Sequence, residues 1–230
     1  MNKYKMLKNL TLIFVFSMFF AVSVSAQNKP LETENKPPAA QTPKKSNQRP
    51  APPKNAVQEP FEKADVKTME AQCVKFETDA GAIEVEMFAE SAPESVRSFL
   101  NLAATGAFDT TTFSRVVPGF IIQGGDLFTR EKMTPELDKR ARRNLLDEPS
   151  LIKHERGILS MARSDEPNSA TTNFFILLGA APHLDGSFAA FGRVKTGMEV
   201  VEAINKMPVE NEKPVKPVRI KRAVVAPCVQ

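Results

Sequence analysis

A chain of 230 residues, 42% hydrophobic and 25% charged, has room for one sizeable domain and a tail. Its formal charge of +4 is unevenly spread: residues 27–67 carry eight Lys/Arg against five Asp/Glu, the first 26 residues add three lysines, and the chain from Thr68 onward is left at −2. The basic balance therefore belongs to the tail and argues for no nucleic-acid surface on the folded part, while two histidines and two distant cysteines argue against metal binding; no cofactor is expected.

Lys3, Lys5 and Lys8 form a positive region ahead of an apolar run over residues 10–24, and Val24-Ser25-Ala26 fits a small-residue cleavage site. Residues 1–26 are therefore expected to be a signal peptide, cut before Gln27, with export to a periplasmic or extracellular location. The run falls short of the roughly 20 residues a membrane span needs, so membrane contact is expected only if this segment stays uncleaved. Residues 27–67 hold eight of the 18 prolines among Lys, Asn, Gln and Ala, the composition of a disordered linker. The folded domain is expected over residues 68–230.

Within it, Val74 and Phe76 alternate with Lys75 and Glu77, Asp79-Ala80-Gly81 turns the chain, and Ile83, Val85 and Met87 alternate with Glu84 and Glu86. This pattern predicts an antiparallel hairpin. Ser91-Ala92-Pro93-Glu94 has capping-box spacing, and Val96, Phe99, Leu100 and Ala103 follow at helical intervals. The stretch Thr-Phe-Ser-Arg-Val-Val from Thr112 reads as a strand, Pro118-Gly119 bends it, and Phe120-Ile121-Ile122 begins another, closed by Gln123-Gly124-Gly125-Asp126. One cation, one amide and several bulky apolar groups meet at that bend, as a shallow site for an apolar ring beside a peptide carbonyl requires.

Residues 127–156 lack a clean period, with one short helix expected near 137–145. Apolar runs at 157–162 (GILSMA) and 173–178 (NFFILL) read as buried strands, residues 189–194 and 218–226 as two more, and Met198, Val201 and Ile204 as one face of a second helix. Many short strands with two clear helices argue for a β sandwich or a barrel, and the pattern alone does not separate them.

The run FSRVVPGFIIQGGD closely resembles the signature of the cyclophilin-type peptidyl-prolyl cis-trans isomerases. GILSMAR, NSATTNFFI and HLDGSFAAFGRV follow in the family's order, so the resemblance extends from Cys73 to Ala226. It implies an all-β fold, a closed eight-stranded antiparallel barrel with two capping helices, and isomerisation of X-Pro bonds in unfolded or flexible polypeptides. The spelling of the NSAT loop resembles bacterial exported members, and a monomer is expected. By the same resemblance Arg115 is the catalytic cation. Phe120, Ile121, Phe175 and Leu184 form the proline pocket, Gln123 lies beside the substrate backbone, and Ala162 and Arg163 belong to the strand that receives the peptide.

Four positions depart from the family pattern: Ser114 replaces a histidine, Asn173 a glutamine, Phe188 a His or Tyr, and His183 the tryptophan of many eukaryotic members. These substrate-side changes leave open an alternative, a proline-peptide binding or chaperone module on the same fold with weak catalysis. A hydrolase built from Ser114, His154 and Asp126 is a poor rival, since no G-x-S-x-G elbow is present. Cys73 and Cys228 flank the first and last strands, neighbours in the cyclophilin barrel, so a disulfide between them is expected in an oxidising compartment.

Overall fold

The computed structural model describes residues 59–229; the expected signal peptide and residues 27–58 of the expected linker lie outside them. The domain boundary expected at Thr68 falls inside helix α1 (Val66–Glu70), whose Asp65 cap accepts the Thr68 amide at 2.7 Å. Packing begins still earlier. Phe61 donates its amide to Asn101 Oδ1 at 2.7 Å, Arg97 Nη1 donates to the carbonyls of Phe61 and Ala64, each at 2.7 Å, and Glu59 pairs with Arg140 at 3.0 Å. These anchors come from residues far along the chain, so composition does not mark them.

The predicted hairpin is β1 (Gln72–Thr78) and β2 (Gly81–Met87), paired from Cys73 opposite Glu86 to Thr78 opposite Gly81. Helix α2 (Pro93–Ala104) follows, but Ser91 does not close a capping box: its hydroxyl meets that of Ser150 at 2.7 Å, and the N-cap is Ala92. The cap comes instead from Glu148, whose carboxylate accepts the amides of Glu94 and Ser95 at 2.9 and 2.8 Å. Next come β3 (Arg115–Val117), β4 (Ile121–Gly124) and α3 (Pro135–Ala141), the last starting two residues before the expected helix and capped by Thr134. The chain continues through β5 (Ile158–Met161), β6 (Phe174–Leu177), β7 (Ala190–Thr196), α4 (Met198–Asn205), a small hairpin of β8 (Val209–Glu210) and β9 (Lys213–Pro214), and β10 (Ile220–Pro227).

Eight strands form one sheet in the order β10-β1-β2-β7-β5-β6-β4-β3, antiparallel at every pairing. The expectation of a closed barrel is corrected: the sheet is a strongly curled half-barrel with β3 and β10 as its edges. Between these edges the segment before β3 meets the one leading into β10: Thr112 bridges Arg219, Phe113 donates its amide to the Val218 carbonyl at 2.9 Å, Thr110 donates to the Ile220 carbonyl at 2.8 Å, and Ile220 donates to the Thr111 carbonyl at 2.8 Å. At the two ends of this contact Thr110 is in the left-handed region (φ 63°) and Pro217 has no N–H to donate.

The core fills the concave side. Phe99 of α2 lies among Phe76, Phe108, Phe174 and Phe191, with ring centroids 4.9 to 5.9 Å apart and mostly tilted or edge-on, the arrangement aromatic quadrupoles favour. On β4 and β6, Ile122, Phe174 and Ile176 face this interior, while Ile121, Phe175 and Leu177 belong to a second, smaller apolar cluster on the outer face. Both faces of these strands are covered, which explains why the corresponding runs are apolar throughout instead of alternating.

Candidate active site

The outer face is organised by register. Arg115 stands opposite Gln123, Gln123 opposite Phe175, and Phe175 opposite Ser160, so cation, amide, ring and hydroxyl form one row across β3, β4, β6 and β5. A pocket of about 150 Å³ opens over this row. Arg115 and Gln123 make one wall, with Arg115 Nη1 donating to Gln123 Oε1 at 3.4 Å; Ile121 and Phe175 lie on the apolar side. Phe120, Leu184 and Phe188 shape the apolar rim, and Ala162 and Arg163 the far end. The Arg163 guanidinium sits 4.7 Å over the Phe188 ring and donates to the Ser164 and Ser187 carbonyls, so it serves as a wall.

The other three positions stand outside the lining. Ser114 donates its amide to the Gln123 carbonyl at 3.0 Å, extending the β3–β4 pairing. Asn173 gives its carbonyl to the Ala162 amide at 2.9 Å, tying the approach to β6 to the end of β5. His183 is exposed, its ring tilted against Phe120 at 5.8 Å, beside the rim.

Two glycines shape the two ends of β4. Gly119 turns the chain at φ 73°, and Gly125, at φ 84°, passes so close to β6 that a Cβ would lie 2.4 Å from the Thr172 carbonyl. Asn205 of α4 fixes the bend from below. Its Nδ2 donates to the carbonyls of Val117 and Ile121 at 2.9 and 3.0 Å, and its Oδ1 accepts the Gly119 amide at 2.8 Å. No periodicity distinguishes this asparagine from any other helix-end residue.

The Ser114, His154 and Asp126 grouping does not form, since Asp126 caps the short turn at Leu127–Thr129. A different line does: Asp185 Oδ1 meets His154 Nδ1 at 3.1 Å, and His154 Nε2 meets Ser160 Oγ at 2.7 Å. Ser160 and His154 are buried, so this is no hydrolase. It clamps the loop carrying Leu184 and Phe188 to β5, beside the pocket. The His154 amide, 2.8 Å from Asp185, is the largest cause holding that carboxyl below the usual carboxylate range; Lys153 and the His154 ring add to it against a raising effect of burial.

The family described as cyclophilin-type peptidyl-prolyl cis-trans isomerase/CLD matches residues 73–225, more than half of the chain. The chain belongs to this family. Peptidyl-prolyl cis-trans isomerase CYP23 of Arabidopsis thaliana is 39% identical to this cyclophilin over 141 residues, 60% of the present chain and 62% of the plant protein. Peptidyl-prolyl cis-trans isomerase cypE of Dictyostelium discoideum is 38% identical over 157 residues, 67% of this chain and 98% of its own. Among solved structures, a Cryptosporidium parvum cyclophilin-type isomerase crystallised with the dipeptide Ala-Pro superposes with a TM-score of 0.59 at 32% identity, covering 67% of this chain and 98% of that one. The cyclophilin match takes in every pocket-lining residue and also reaches Asn205 and the β8–β9 hairpin.

Proposed function

We propose that this cyclophilin catalyses rotation about X-Pro bonds in unfolded or flexible exported polypeptides, with Arg115 as its electrostatic catalyst. Rotation meets a barrier of about 18–20 kcal/mol because it breaks amide resonance. A catalyst needs no nucleophile for it, only contacts that improve as the imide nitrogen pyramidalises and its lone pair localises. Ile121, Phe175 and the rim residues offer an apolar seat for the proline ring, and Gln123 stands where a flanking carbonyl would be held. Arg115 has five N–H donors. Two are engaged, by Glu212 and Gln123, and the others have no partner among the described residues. The observation that carries the reading is this cation, half-exposed and in register with the amide and ring of the pocket. The Ala-Pro dipeptide crystallised with the Cryptosporidium neighbour supports a proline-containing ligand.

Export is supported by the leader-like residues 1–26 and by the Cys73–Cys228 pairing, which suits an oxidising compartment. A bacterial exported version is supported by that leader and the NSAT spelling, although the relatives named above are eukaryotic.

The test is isomerisation of a short X-Pro peptide by the wild type and by Arg115→Ala. A fast wild type and a variant slowed about 100-fold or more, about 2.7 kcal/mol of barrier, are expected. A wild type at the uncatalysed rate that still binds the peptide would make the protein a proline-peptide binding module.

A further inference from the structure

Residues 206–217 lie between the expected second helix and the expected last strand, and they deliver a carboxylate to the candidate catalytic arginine. Asn211 and Glu212 are the two loop residues of the β8–β9 hairpin, and both are left-handed, at φ 51° and 63°. Two-residue hairpin loops of this kind favour Asn-Gly, because glycine enters positive φ without steric cost. Asn211 fits that preference. Glu212 does not, and a glutamate held in this conformation points to a use for its side chain.

Its use is visible. Glu212 Oε2 accepts from Arg115 Nε at 2.7 Å, while the Glu212 carbonyl accepts the Val116 amide at 2.8 Å and fixes the turn against β3. Both side chains of the ion pair are about half exposed, 44% for Arg115 and 48% for Glu212. Screening makes such a pair a minor contributor to stability, so its consequence lies in geometry. Glu212 takes the Nε edge of a planar guanidinium, and Gln123 takes one Nη1 proton. Two anchors on different nitrogens fix the plane, leaving the remaining Nη donors to the pocket that Arg115 lines.

We infer that Glu212 is a positioning residue that orients Arg115 for catalysis, an inference that rests on the isomerase reading above. It acts through the arginine and need not touch the peptide. Preorganisation of this type appears in the rate and leaves ground-state affinity nearly unchanged.

The test uses Glu212→Gly, Glu212→Gln and the double variant Arg115→Ala/Glu212→Gly, with isomerisation rate, affinity for an Ala-Pro-containing peptide and thermal midpoint as readouts. Glu212→Gly should lower kcat/KM about 2- to 5-fold, the scale of one exposed charge-assisted contact, with affinity unchanged. Its midpoint should equal or exceed the wild type's, because glycine relieves the turn. A purely structural role would move rate and midpoint down together. Glu212→Gln keeps an acceptor oxygen and should recover part of the rate. In the Arg115→Ala background the Glu212 substitution should cost nothing further. A Glu212→Gly enzyme as fast as or faster than wild type, or an equal loss without Arg115, would overturn the inference. An inactive wild type would overturn the isomerase reading, and this inference with it.

Discussion

Breaking the Cys73–Cys228 bond is the perturbation whose size follows most directly from the structure. The pairing of β1 with β10 sets Gln72 opposite Pro227 and Cys73 opposite Ala226, and the Cys228 amide continues the ladder by donating to Ala71 at 2.9 Å. The two cysteines are thus diagonal neighbours, 4.9 Å apart at Cα, and the bond closes a loop spanning 155 residues. In the chain-entropy model, a loop that long removes about 17 cal/mol/K from the unfolded ensemble, or about 5 kcal/mol at room temperature. Residual structure in the unfolded chain lowers the measured value, so we expect about 3–5 kcal/mol. For a domain of this size that is a drop of about 10 °C in Tm. The assay is equilibrium urea unfolding of the oxidised protein, the dithiothreitol-reduced protein and Cys73→Ala/Cys228→Ala. The reduced and substituted forms should unfold at the same lower midpoint with a steeper m-value, because the uncrosslinked unfolded chain exposes more surface. Three coincident midpoints, or two alkylatable thiols in the protein as isolated under oxidising conditions, would refute the reasoning.

The remaining predictions concern side chains outside the pocket. Asp185 has a folded-state pKa below its ordinary 3.8, so the unfolded chain binds the proton more readily in that window. Its stabilising contribution is therefore complete above the ordinary value and disappears as pH falls through the folded one. Asp185→Asn should be less stable than wild type at pH 7 and show a shallower loss as pH falls below the ordinary carboxylate value of 3.8, by urea midpoints; parallel curves would argue against the His154 clamp. Glu148→Ala removes the acceptor of two amides at the start of α2 and should cost about 1–2 kcal/mol, or about 3–6 °C of Tm. An unchanged Tm would show that water satisfies those donors equally well.

The way this site is written in the chain follows from how each part is built. A strand records both of its faces in consecutive residues, so Ile121 with Ile122, and Phe175 beside Phe174 and Ile176, announce cover on both sides before any partner is known. Arg115 and Gln123 stand out because they interrupt such runs, and the Gly119 bend because few residues tolerate its backbone. The curl of the sheet is less legible: nothing in residues 110–113 or 218–220 individually states that these segments, far apart in the chain, meet between the two edges of the sheet. Least legible are bonds made by side chains across long separations, which leave no period. Glu148 caps a helix 54 residues upstream, and Glu212 reaches an arginine 97 residues away. For Glu212 even the local signal is thin, since strands of two residues leave too little alternation to reveal a hairpin. Its charge looks like ordinary surface until φ is known. A glutamate where the turn favours glycine is a conflict between local preference and structure, and such conflicts are expected where function outweighs propensity. Glu212 therefore stands above the carboxylates of the other exposed ion pairs as a candidate for function. Arg222 with Glu77 and Arg193 with Glu86 bridge strands at no such backbone cost, so their removal should leave the isomerisation rate unchanged.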